Sequence, residues 1–220
     1  VILRHRFTPV EPGLGRHVAH DDESRDYPAE VAPRLVSVRH PRNIGILNQR
    51  ALGSCTGNAT AGCLSTQPFV NAFDESYAVS LYSAATRLDA IDGHYPPTDT
   101  GSSGLAVMKV ALLRHLIEGY SHGFGLEHVL HALVLRPGIT GITWLSGCDN
   151  PDASGIVRYE GSVRGGHEIE LQGLDVDARL VWFVNSWGEG WGKDGYFAMT
   201  FDDYAKALED HGDATFPRAP

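Results

Sequence analysis

At Pro137 the hydrophobic pattern of the chain changes period, and this break limits the possible folds more than any other feature. Ahead of it, ESYAVSLYSAATRLDAI follows Asp74 with Tyr77, Leu81, Ala84, Ala85 and Leu88 at helical spacing. LAVMKVALLRHLIEG is again amphipathic and predicts a helix ending at Gly119, and a shorter one is expected at Leu126–Leu133. CTGNATAGCLSTQ, beginning at Cys55, predicts a long helix of small residues. Past Pro137 the segments GITGITWLSG, GIVRYEG, GHEIELQGLD, RLVWFVNSW and GYFAMTF are short, rich in β-formers and separated by turn signals. Helices followed by strands predict an α+β protein of two lobes.

The 220 residues suffice for one large domain or two lobes packed on each other. A net charge of −9, with 18 basic residues scattered singly, excludes the clustered cations that a nucleic acid backbone requires. The acidic balance also disfavours a strongly anionic substrate. Apolar runs such as VWFV at Val181–Val184 fall far short of the roughly 20 residues that span a bilayer. The opening VILRHRFTPVEPG has no signal-peptide core, so neither a membrane partner nor a leader is expected. Cys55, Cys63 and Cys148 are the 3 cysteines, too few for a disulfide framework. Buried thiols are expected at Cys63 and Cys148, and a cytoplasmic location is favoured over a secreted one.

Three blocks carry the candidate chemistry. In NQRALGSC, Cys55 falls at a predicted helix N-terminus, where unpaired amides and the helix dipole favour a thiolate. Gln49 offers a side-chain amide to an oxyanion, beside the Cys55 backbone amide. In GGHEIEL, glycines turn the chain into a strand headed by His167, a candidate base; Gly166 ahead of it adds no charge. In NSWGEGWGKDGYF, Asn185 can fix the imidazole's tautomer while Trp187 shields that bond from water.

Together these blocks resemble the papain family of cysteine peptidases, over about residues 36–201. The resemblance implies a helical lobe and an antiparallel, β-barrel-like lobe with a cleft between them. It implies a Cys-His-Asn triad of Cys55, His167 and Asn185, an oxyanion glutamine at Gln49, and Trp187 over the His-Asn pair. It places substrate along the Gly101, Ser102 and Ser103 backbone and at Gly166. The implied activity is peptide-bond hydrolysis through a thioester, on a peptide or protein substrate, with no cofactor and no metal. A transpeptidase or peptide ligase using the same thioester, and a non-catalytic peptide-binding module of the same fold, are the alternatives.

Leu52 stands where the family usually has a structural cysteine, and Thr56 replaces the aromatic that usually follows the nucleophile. The long helical propeptide is missing too, which suggests a prokaryote-type, short-armed branch. Residues 1–32 read as an extended polar arm ahead of a peptidase domain at 33–220, whose helical lobe covers about 44–121 and whose β lobe covers about 122–214. The arm is a candidate occupant of the cleft. His128 and His131 are helically spaced but lack further metal ligands. Glu168 and Glu170 alternate with His167 along a strand and are expected on the opposite face, solvated or hydrogen-bonded. Asn58 heads a glycosylation sequon inside the Cys55 helix, where it is inaccessible.

Overall fold

A computed structural model describes residues 13–220; the arm's first twelve residues lie outside the described part. The helical lobe is built on α1 (Cys55–Cys63), every residue of which is buried. Its Gly, Ala and Thr side chains let α2 (Glu75–Ala85) approach so closely that a Cβ at Gly57 would lie 2.9 Å from Tyr82. The helix is nine residues long rather than the long one expected, because LSTQ turns away at Cys63 instead of continuing it. Asp74 caps α2, accepting from the Tyr77 amide at 2.9 Å. Ser103 caps α3 (Gly104–Leu113) in the same way through the Ala106 amide at 3.2 Å.

The expectation that α3 continues to Gly119 fails. His115 adopts a left-handed conformation at φ 56°, which turns Ile117 into the core. Gly119 then begins a strand, β2 (Gly119–His122). Leu64, Leu81, Val107 and Met108 fill this lobe's core with Ile139, which comes from the sheet.

The second lobe is an antiparallel sheet. Its strands are β3 (Gly138–Leu145), β4 (Val163–Asp175), β5 (Leu180–Val184), β6 (Tyr196–Thr200) and β7 (Asp213–Arg218), in the order β2-β7-β3-β4-β5-β6. A short β1 (Val38–Arg39) pairs with β4. Helices α4 (Gly125–Leu135) and α5 (Phe201–Glu209) cover the sheet, closing a core that includes Trp144, Phe183, Phe197, Tyr204 and Phe216. GIVRYEG forms no strand: Ile156 makes a single bridge to Ala198, and the surrounding residues form turns. The sequence reading did not place α5 or β7.

Strand β4 passes against α1, so each lobe presents one side of a shared seam. Cys55 lies at the head of α1 on one side, and His167 lies on β4 on the other.

Candidate active site

Cys55 is the first residue of α1 and is fully buried. The amides of Glu168, Gly15 and Thr56 lie against its sulfur and favour the charged form. Burial outweighs them and pushes the thiol up to about 12, with the Glu168 charge acting in the same sense. The helix N-terminus therefore does not lower this pKa as expected, because the arm seals the sulfur from water.

His167 donates from Nε2 to Oδ1 of Asn185 at 2.8 Å. An amide oxygen only accepts, so the proton sits on Nε2 and Nδ1 is left with its lone pair. Asn185 Oδ1 is held in turn by the Ser186 amide at 2.8 Å. Trp187 stacks on the imidazole with centroids 4.9 Å apart, and Trp144 meets it edge-on at the same separation. Enclosed in this way, His167 is pulled down to about 4 by burial, with the Asn185 bond opposing the shift. Its Nδ1 is buried without a hydrogen-bond partner among the described residues, and Cys55 does not supply one. In this arm-covered state the thiol and the imidazole are both neutral at pH 7.

Gln49 is buried, and Ser186 Oγ donates to its Oε1 at 2.6 Å, which aims the amide. That amide donates to the carbonyls of Leu52 at 2.7 Å and Gly13 at 3.1 Å. Gly13 belongs to the arm, and the following residues run straight through the seam. The Gly13 amide bonds the Arg50 carbonyl, and Ser102 donates to Gly15 and accepts from His17, both at 2.8 Å. Arg16 donates to the Gly166 carbonyl at 3.0 Å. Glycines permit this closeness: a Cβ at Gly15 would strike the Gly53 backbone, and one at Gly166 would strike Arg16.

Ser102 and Gly166 thus meet an extended segment through their backbones, and a Cβ at Gly101 would collide with Gly15. Ser103 spends its hydroxyl on capping α3. His128 and His131 bond the arm carbonyls of Ala29 and Ala32, at 2.9 and 2.7 Å. The arm is therefore not uniformly extended; it also contains a 3-10 turn at Asp22–Asp26.

The face of Glu168 and Glu170 is not solvated, and of the two acids only Glu170 is hydrogen-bonded, as one of the two expectations had it. Both are buried because α1, α3 and the arm cover the side of β4 opposite His167. Glu170 is satisfied by Arg42 and by Thr66 Oγ1, the latter at 2.6 Å. Glu168 has no hydrogen bond to either oxygen. Cys63 and Cys148 are free, buried thiols, and Asn58 is buried within α1. Ser186, Trp144, Glu168 and Asp213 are the site residues that sequence reasoning missed. Ser186 and Trp144 lay inside motifs already in view, but only the fold brings them to Gln49 and His167.

Across its whole length the chain superposes on xylellain, a cysteine protease from Xylella fastidiosa, with a TM-score of 0.76 at 18% identity, covering 100% of both chains. It matches the family model described as papain family cysteine protease over residues 152–211, which contain His167 and Asn185. The chain has a papain-like fold. A digestive procathepsin L of Tenebrio molitor shares this papain-like fold with a TM-score of 0.63 at 14% identity, over 96% of this chain and 77% of that one. Cathepsin B-like CP2 and CP3 of Giardia intestinalis are each 44% identical to it over 50 residues, 21% of this chain. The matched stretch spans only 17% of the length of those curated relatives. Among the described residues, no helix of the papain-like chain is long and apolar enough to cross a membrane.

Proposed function

We infer that the chain is a cysteine peptidase that hydrolyses peptide bonds through Cys55, His167 and Asn185, with Gln49 as an oxyanion donor. The observation that carries this reading is the His167–Asn185 hydrogen bond under Trp187. It leaves Nδ1 as the free base on the strand that packs against the head of the Cys55 helix. Once the cleft is open to water and substrate, the desolvation that keeps both groups neutral is relieved. His167 takes the Cys55 proton, and the thiolate attacks the scissile carbonyl. The oxyanion is met by the Gln49 amide and the Cys55 backbone amide. The imidazolium gives its proton to the leaving amine, then activates water to hydrolyse the thioester.

A second reading concerns residues 13–17 and rests on the Gly13–Gln49 and Gly15–Ser102 hydrogen bonds. The arm occupies the donors that a substrate would use and holds the enzyme latent. Both readings are tested by fluorogenic peptide turnover in the full-length protein and its Gly15→Val variant, whose added side chain cannot pass Gly53. The variant is expected to turn over at least tenfold faster, and Cys55→Ala in the same background to show no activity. Equal rates for the first pair would remove the latency reading. Activity that survived Cys55→Ala would remove the peptidase mechanism.

A further inference from the structure

The arm's Gly15 passes between two backbone walls. One is Gly53, at the downstream end of the loop that carries Gln49, and the other is Gly101, next to Ser102. A Cβ on Gly15 would strike the Gly53 carbonyl, and one on Gly101 would strike the Gly15 carbonyl. The slot thus fits a bare backbone, and its width depends on what ties its walls together. No covalent bond does so, since Cys55, Cys63 and Cys148 are all free and Leu52 precedes Gly53.

The tie is a hydrogen-bonded relay through Tyr82 and Asp99. Gly101, in the left-handed region at φ 70°, donates its amide to the Tyr82 hydroxyl oxygen at 2.9 Å. That hydroxyl donates in turn to Asp99 Oδ1, while the Gly53 amide donates to Oδ2 of the same carboxylate at 2.8 Å. All the donors converge on one carboxylate, which strengthens each link. Burial, with the Asp99 hydrogen bond acting in the same sense, pushes the Tyr82 phenol up, so the hydroxyl keeps the proton it donates. Tyr82 is fully buried on α2 and packs against Gly57 of the Cys55 helix, so the relay is fixed relative to the nucleophile.

We propose that Asp99 and Tyr82 are positioning residues whose relay sets the spacing between the Gln49 loop and the Gly101–Ser103 wall. An extended peptide must meet both at once. The arm does so, with Gly13 on the Gln49 amide and Gly15 on the Ser102 amide. Neither Asp99 nor Tyr82 takes part in bond breaking. Their effect on turnover rests on the peptidase reading above, whereas their effect on peptide binding does not.

The test compares the full-length Gly15→Val chain with the same chain carrying Asp99→Ala, Asp99→Asn or Tyr82→Phe. Asp99 itself faces water, so replacing it buries no unpaired charge, and urea unfolding checks each fold. Asp99→Ala releases both walls and is expected to lower kcat/KM for a fluorogenic peptide at least tenfold, through kcat and KM together. Asparagine keeps one oxygen for the Gly53 amide, so Asp99→Asn is expected to recover most of the lost kcat. Tyr82→Phe frees Gly101 alone and is expected to raise KM and leave kcat within twofold. Iodoacetamide needs neither an oxyanion donor nor a backbone wall, and is expected to alkylate Cys55 at the parent's rate in every variant. A fluorescent peptide with the sequence of Gly13–Ala19 is expected to bind Asp99→Ala and Tyr82→Phe at least fivefold more weakly than the parent. Weakened binding in a parent chain that turns over no peptide would uphold the relay and remove the peptidase reading. Unchanged binding, unchanged kcat/KM in Asp99→Ala of an active parent, or alkylation that slows in step with turnover would overturn the relay.

Discussion

Gly13 accepts a hydrogen bond from the side-chain amide of Gln49 at 3.1 Å, so the arm's backbone already holds the donor that the mechanism assigns to the oxyanion. Ser186 Oγ holds the other end of the same amide at 2.6 Å. In the arm-released Gly15→Val background, Gln49→Ala is expected to lower kcat by about 100- to 1,000-fold, as loss of one oxyanion donor does elsewhere. Ser186→Ala, which leaves the amide present but unaimed, is expected to have a smaller effect, also mainly on kcat. Steady-state kinetics separates the two; an effect of Gln49→Ala confined to KM would contradict the assignment.

His167 is pulled down to about 4 in the covered state by burial. In an opened cleft it regains water, and its pKa moves back towards the ordinary value. The state with the higher pKa binds more protons, so acidification from about 6.5 towards about 4 favours the open form over the closed one. Histidine NMR titration is expected to give a His167 midpoint near the lower value in the full-length protein and a higher one in Gly15→Val. Identical midpoints would show that the arm does not desolvate the ring.

Arg42 and Glu170 form a buried ion pair behind the cleft, and Thr66 completes the carboxylate's hydrogen bonds. Arg42→Ala strands Glu170 in a fully buried position and is expected to cost about 3–5 kcal/mol in urea unfolding. Arg42→Ala with Glu170→Gln should recover part of that loss, because no charge is then left unpaired.

The α+β class was legible because helical and strand periods occupy different halves of the chain. The alignment of His167, Asn185 and Trp187 followed from motifs whose glycines and strand positions specify local geometry. Glu168 was misread for a physical reason: strand alternation tells which residues share a face, whereas what covers that face depends on α1, α3 and the arm. Asp213, the partner of Arg16, lies on β7, a strand that carried no local signal strong enough to be noticed. The arm was expected as a candidate occupant of the cleft, but its path was not legible, because apart from Arg16 it is held mostly through its own backbone groups.

Thiol labelling tests most directly whether Cys55 and His167 form an activated pair under a removable arm. Full-length protein, Gly15→Val, and Gly15→Val with His167→Ala are treated with an epoxide-type peptide inhibitor, and the labelled site is found by intact mass and peptide mapping. Stoichiometric labelling at Cys55 that is slow in the first, fast in the second and lost in the third is the predicted result. A folded Gly15→Val protein that stays unlabelled, or labels at Cys55 just as fast without His167, would contradict it.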